Sequence, residues 1–211
     1  MKVIIIEGGI GVGKSTLLSS LEKLDPENIG VVQEIVPKDK LKLFLEGRMD
    51  AHAFQLIMAC KRLVAQNLAL RAEKAKKYVF MERSVFSDYC FAKCAIKDMA
   101  DLRDYETFAQ STLWKAAVKP DLTIYLKGSL DKQTERIKER GRPGEQWYLT
   151  EEGITYRKRL NFQHDTMFNF VGNTNPVLTL NPDKLDWRNE TVVKEIFEVI
   201  ERELSERVMA S

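Results

Sequence analysis

Gly8, four further residues and then Gly13-Lys14-Ser15 reproduce the spacing G-x-x-x-x-G-K-[ST], within "IIIEGGIGVGKST" at residues 4 to 16. Glycines at Gly8, Gly9, Gly11 and Gly13 allow successive backbone N–H groups to turn toward phosphate oxygens. The helix that follows presents its positive N-terminal end to the same anion. Lys14 would reach the β- and γ-phosphates, Ser15 would offer a hydroxyl to Mg²⁺, and Thr16 extends the cradle. The chemistry implied is a grip on a nucleoside triphosphate, ATP with Mg²⁺. A grip alone names no reaction.

The remaining carboxylates and arginines narrow the choice. No N-K-x-D segment of the guanine-reading kind is present. "YVFME" ends a buried-looking run on Glu82, and Arg83-Ser84 follows. Glu82 can help hold Mg²⁺ there, and Arg83 can offset charge on a transferring group. "IGVVQE" likewise ends on an acid, Glu34, the candidate base for a hydroxyl acceptor. Gln55 and Arg62 lie seven residues apart, which places them on one helix face about 10 Å apart along the axis. Phe54, Met58 and Ala59 are close by, equipment for reading a base edge while packing its rings. In "ERIKERGRPGE", Arg136 and Arg140 are one turn apart, Gly141 and Pro143 break the helix, and Arg142 adds a third guanidinium. Such a segment can close over a triphosphate as a lid.

These residues need a scaffold that brings them to one edge. Five short apolar runs, at 2–7, 29–34, 77–82, 121–126 and 176–180, alternate with helical patterns, which predicts an α/β fold with a parallel sheet. Helices are expected over 14–24, 84–98, 101–118, 129–140, 148–170 and 189–208, with one uninterrupted helix of about seven turns from 51 to about 76. The open edge of such a sheet, at the carboxyl ends of its strands, is where ligands bind.

Bulk properties set the outer bounds. The 211 residues suit one domain spanning 1–211. A charge of +2, from 33 Lys+Arg against 31 Asp+Glu, with no long basic block, gives no indication of a nucleic-acid polymer as partner. Cys60, Cys90 and Cys94 form no CxxC pair and sit in apolar, helix-like stretches, which predicts neither disulfides nor zinc and fits a reducing cytoplasm. No apolar run is long enough for a membrane span.

The order "EGGIGVGKST", "QE", "FQ" with Arg62, "ERSVFSD" and "RIKERGRPGE" resembles the deoxynucleoside kinase family over roughly residues 1 to 170. The resemblance implies a P-loop kinase fold with five parallel strands, an arginine-rich lid and a homodimer paired through helices. It implies ATP-dependent 5′-phosphorylation of a deoxynucleoside in nucleotide salvage. Glu34 would be the base at the 5′-hydroxyl and Gln55 would read the nucleobase. Arg83 and Glu82 would serve phosphate and Mg²⁺, Arg136, Arg140 and Arg142 would form the lid, and Glu145 would hold the 3′-hydroxyl. Arg62 with Asp88 resembles the deoxycytidine and deoxyguanosine kinase branch, which favours deoxycytidine or a purine deoxynucleoside. The chain departs from the pattern in three places. Phe44 stands where several members have tyrosine, "IVPKD" after Glu34 lacks a tryptophan, and "SDYCFAK" is one residue shorter. A nucleoside monophosphate kinase of the thymidylate kinase type and a nucleotide-binding switch are the alternatives.

Overall fold

The computed structural model describes residues 1–142, 144–172 and 175–208; Pro143, the expected helix breaker, lies outside them. β1 (Lys2–Gly8) is apolar on both faces because it lies in the middle of a sheet covered on both sides. It pairs in parallel with β3 (Tyr78–Glu82) on one side and β4 (Leu122–Leu126) on the other. β2 (Ile29–Val32) and β5 (Val177–Leu180) form the edges, so the order is β2-β3-β1-β4-β5. Ile6 lies opposite Glu82, and Gly8 opposite Leu126, so β1 and β4 end together and β3 ends two residues short of them. The fold is an α/β P-loop kinase fold.

Alternation along β1 assigns its side chains. Ile4 and Ile6 pack into the main core with Leu17, Leu18 and Leu21 of α1 (Lys14–Leu24) and Ile196 and Ile200 of α9 (Glu190–Val208). Val3 and Ile5 point the other way, with Val79 and Met81. Glu7 shares that second face by the same period of two, and there it meets α4 (Val85–Ala95). The other helices are α2 (Lys38–Leu45), α3 (Ala51–Ala72), α5 (Met99–Phe108), α6 (Trp114–Ala116), α7 (Leu130–Arg140) and α8 (Glu151–Val171).

Several boundaries differ from the sequence reading. β2 stops at Val32, so Glu34 is in the connecting segment. Its backbone N–H donates to the Glu82 side chain at 3.4 Å, leaving the ladder for a carboxylate. α2 was not expected; it begins after Pro37, whose fixed φ suits a helix entrance. α3 is capped by Asp50, which accepts from Ala53 N at 2.7 Å, and it ends at Ala72 rather than near 76. The segment 101–118 is not one α-helix, because a π-helical turn at Ala109–Leu113 separates α5 from α6. Likewise a 3₁₀ turn, Gln146–Leu149, precedes α8. The cysteines are free thiols, with Cys90 buried but Cys60 exposed, contrary to the apolar setting read for all three. Among the described residues no helix is long and apolar enough to cross a membrane, and no group of three or more His, Cys, Asp or Glu could hold a metal.

Candidate active site

The phosphate loop joins β1 to α1 at the sheet's carboxyl edge. Gly11 and Gly13 have φ of 80° and 94°, in the left-handed region that lets the loop turn its N–H groups inward. A Cβ on Gly11 would lie 2.8 Å from the Gln133 carbonyl, so no larger residue fits. Lys14 is buried; it donates to Gly9 O at 2.9 Å and Gly8 O at 3.3 Å, with Glu82 3.9 Å away. Burial, helped by the charge of Arg83, lowers its ammonium pKa to about 7. The Ser15 hydroxyl lies 3.2 and 3.3 Å from the two Glu82 oxygens. A hydroxyl and one carboxylate beside a phosphate cradle are a donor set that suits Mg²⁺ carried on a nucleotide.

At the end of β3 the chain turns sharply. Arg83 has φ of 65°, the one non-glycine residue with positive φ among those described. A bulky side chain in that region costs about 1–3 kcal/mol, so its surroundings must hold it there. Its N–H donates to Ile6 O at 2.9 Å, and its carbonyl accepts from Gln66 Nε2 at 2.6 Å. The guanidinium donates to Gly8 O and to Glu34, both at 2.9 Å, and to Ser87 Oγ at 3.3 Å, and it lies 4.8 Å from the centroid of the Phe91 ring.

Glu34 is thereby one node of a buried network. Its second oxygen accepts from Arg62 at 2.6 Å, and Arg62 also donates to both oxygens of Asp88, at 2.7 and 2.9 Å. Burial pushes the Glu34 carboxyl upward, but Arg62 and Arg83 outweigh it and hold the group well below the usual carboxylate range. For Asp88 the balance runs the other way: burial raises its pKa, with Arg62 opposing. A cavity of about 210 Å³ opens beside this network, bordered by Glu34, Met58, Arg62, Gln66 and Glu82. Gln55 and Arg62 are both buried, which excludes a solvent-facing role for their shared face. Phe54 is stacked on Phe44, centroids 4.6 Å apart and planes 3° from parallel.

The arginine segment is dispersed rather than converged. Arg136 donates to Pro182 O at 2.6 Å, Arg140 to Glu145 at 2.6 Å, and Arg142 is exposed. Glu145 therefore faces an arginine of its own segment.

Sequence reasoning missed a second layer. Glu7 is completely buried and accepts from Ser84 N at 2.7 Å, Ser84 Oγ at 2.5 Å and Ser87 Oγ at 2.5 Å. Burial raises its pKa against those bonds. His164 of α8 reaches Ser87 Oγ at 3.2 Å, and burial drives its pKa well below the usual imidazole value, so the ring is neutral. Two signals were available: Gln66 is one turn from Arg62 on α3, and an acid ending an otherwise apolar strand is out of place unless something meets it.

A family model described as deoxynucleoside kinase matches residues 4–204. The chain is 30% identical to a deoxyadenosine kinase of Lactobacillus acidophilus, over 98% of each chain. It is 29% identical to a deoxyadenosine/deoxycytidine kinase of Bacillus subtilis, over 94% of this chain and 93% of the relative. A deoxyadenosine kinase from M. mycoides, solved with bound dATP, superposes with a TM-score of 0.73 at 24% identity, covering 94% of this chain and 99% of that one. The chain belongs to the deoxynucleoside kinase family.

Proposed function

We propose that the chain transfers the γ-phosphoryl group of ATP to the 5′-hydroxyl of a deoxynucleoside, with deoxycytidine and deoxyadenosine preferred over thymidine. The observation that carries this reading is Glu34, a carboxylate held by Arg62 and Arg83 at the same sheet edge as Lys14, Ser15 and Glu82. An acceptor that already bears a phosphate needs spare cations, whereas these two guanidiniums are already paired with Glu34 and Asp88. A neutral sugar hydroxyl needs only an acceptor for its hydrogen.

The phosphate loop and α1 bind the triphosphate, with Lys14 on the β- and γ-phosphates. Mg²⁺, held by Ser15 and Glu82, would neutralise charge between those phosphates. Glu34 orients the 5′-hydroxyl and accepts its proton. A carboxylate of such low pKa is a weak base, which suits a loose phosphoryl-transfer transition state in which the proton leaves late. Arg83 stabilises charge on the moving group, and Arg140 and Arg142 complete the lid with Arg136. Gln55, Phe54 and the Arg62–Asp88 pair recognise the nucleobase, while Glu145 is assigned to the 3′-hydroxyl. Arginine donors beside a carboxylate acceptor match an exocyclic amine next to a ring nitrogen, which cytosine and adenine share. Thymine carries carbonyls and an N–H at the equivalent edge and is mismatched. The names of the relatives, deoxyadenosine and deoxycytidine kinases, support the same preference. Self-association through helices is part of the proposal, with the exposed Phe162 and Phe170 of α8 as its apolar contribution.

Four outcomes test this. Incubation with Mg-ATP and the four deoxynucleosides should give 5′-monophosphates of deoxycytidine and deoxyadenosine by mass spectrometry. Turnover of dTMP instead would favour the monophosphate kinase reading. Glu34→Gln should lower kcat by about 10²–10⁴ with ATP affinity retained, and an unchanged rate removes Glu34 from the proton-accepting role. Lys14 gives the third. Its pKa near 7 in the free protein should rise beside phosphates, so ATP binding at pH 8 should take up close to one proton and at pH 6 almost none. Calorimetry in two buffers of different ionisation enthalpy reads this directly, and equal heats at pH 8 would refute it. Finally, light scattering should report twice the chain mass; a monomer would remove the dimer.

A further inference from the structure

α8 carries a buried cation for which the fold supplies no counter-ion. Arg157 is 0% exposed, its guanidinium forms no ion pair among the described residues, and burial lowers its pKa with no carboxylate opposing. Nη1 is buried without a hydrogen-bond partner. A charge so placed destabilises the fold, and an apolar side chain of similar length would fill the space without that cost. Two hydrogen bonds show what the guanidinium does there.

Side chains on a helix lean toward its N-terminus, and Arg157 follows that lean. Its Nε donates to Tyr148 O at 3.1 Å, in the 3₁₀ turn before α8, and Nη2 donates to Thr134 Oγ1 at 2.8 Å, on α7. Between Thr134 and Tyr148 runs the arginine segment, with Arg136, Arg140, Arg142 and Glu145. One planar guanidinium thus joins the helix that enters the segment to the turn that leaves it.

The elements so joined are closely packed. Gly153, one turn before Arg157, lets the 3₁₀ turn lie against α8: a Cβ there would strike Trp147 O and lie 2.6 Å from Tyr148 Cα. α7 rests on the phosphate loop, where a Cβ on Gly11 would lie 2.8 Å from Gln133 O and 3.1 Å from Ile137 Cγ1. Asn161, one turn beyond Arg157, donates to Gln133 Oε1 at 3.3 Å, and a Cβ on Gly9 would strike its Oδ1. The bond from Arg157 to Thr134 therefore ties the exit of the segment to a helix that is itself seated on the loop.

We propose that Arg157 is a positioning residue whose guanidinium clasps the two ends of the arginine segment and holds that segment in place beside the phosphate loop. This rests on the reading that the segment serves as the lid over a triphosphate. Arg157→Met keeps an unbranched apolar stem in the space and removes both bonds together with the uncompensated charge. Trypsin should then cut the Arg140–Gly141 bond about tenfold faster than in the wild type, the product being identified by mass spectrometry; Arg142 precedes proline and resists the enzyme. By calorimetry the Kd for ATP should rise by about tenfold, as for the loss of one hydrogen bond to a charged group, while deoxynucleoside affinity and the thermal midpoint hold. Thr134→Val removes only the acceptor on α7, so it should move both readings the same way by a smaller amount, and it decides the matter if Arg157→Met does not fold. Cutting at the wild-type rate would overturn the proposal. So would a lower thermal midpoint with ATP and deoxynucleoside weakened alike, the signature of an arginine that only stabilises the fold. Faster cutting with wild-type ATP affinity would leave the clasp standing and remove the lid reading.

Discussion

The architecture of the site depends on one buried carboxylate. Glu7, the last residue but one of the central strand, lies on the face opposite the main core, where a charged group costs several kcal/mol unless it is thoroughly hydrogen-bonded. Three donors, all from the start of α4, meet that cost: Ser84 N, Ser84 Oγ and Ser87 Oγ. The bonds fix α4 against the end of β1. Because Arg83 is sandwiched between β3 and this helix start, they also hold its backbone in the left-handed region. From there the guanidinium reaches Gly8 O and Glu34, and Glu34 in turn shares Arg62 with Asp88. The order of dependence therefore runs from a strand residue to the carboxylate and guanidinium groups that border the cavity.

Charge is divided along the sheet edge. On the side of α3 and α4, carboxylates and guanidiniums neutralise one another through ion pairs at 2.6 to 2.9 Å. On the side of α1, Lys14, the backbone N–H groups of the loop and the helix end supply positive potential. A polyanion is attracted to the second region and gains nothing from the first. The depressed pKa of Lys14 belongs to the same economy of charge: a buried ammonium beside Arg83 is poorly solvated, so a bound anion stabilises it more than it would a surface lysine.

What could be read from sequence was what depends on nearby residues. The phosphate loop, the strand-helix alternation and the shared face of Gln55 and Arg62 all follow from spacings within one or two turns. What could not be read depends on partners far along the chain. Glu7 meets Ser84 and Ser87 across 77 and 80 residues, and His164 meets Ser87 across 77. The arginine segment shows the limit most clearly. Its spacing is visible, but whether Arg136 faces a ligand, water or a carbonyl depends on Pro182, 46 residues away. The continuous apolar run puts Glu34 at a strand end, yet its backbone leaves the sheet to bond Glu82.

The segment "SDYCFAK" shows how helix geometry can tie one helix to two arginines at once. Asp88 and Phe91 are three residues apart within α4, a spacing that keeps them on one face. Asp88 reaches Arg62 with both oxygens, and Phe91 lies under the guanidinium of Arg83. The two arginines are themselves joined through Glu34, so helix spacing, aromatic contact and ion pairs impose the same position on α4. Moving Phe91 one place along the helix would rotate it by about 100° and take it from beneath Arg83 unless the helix turned with it. Such a turn would in turn carry Asp88 off Arg62. The register of this helix is thus fixed by two arginines at once, which makes the spacing between Asp88 and Phe91 part of the site rather than a variable of the surface.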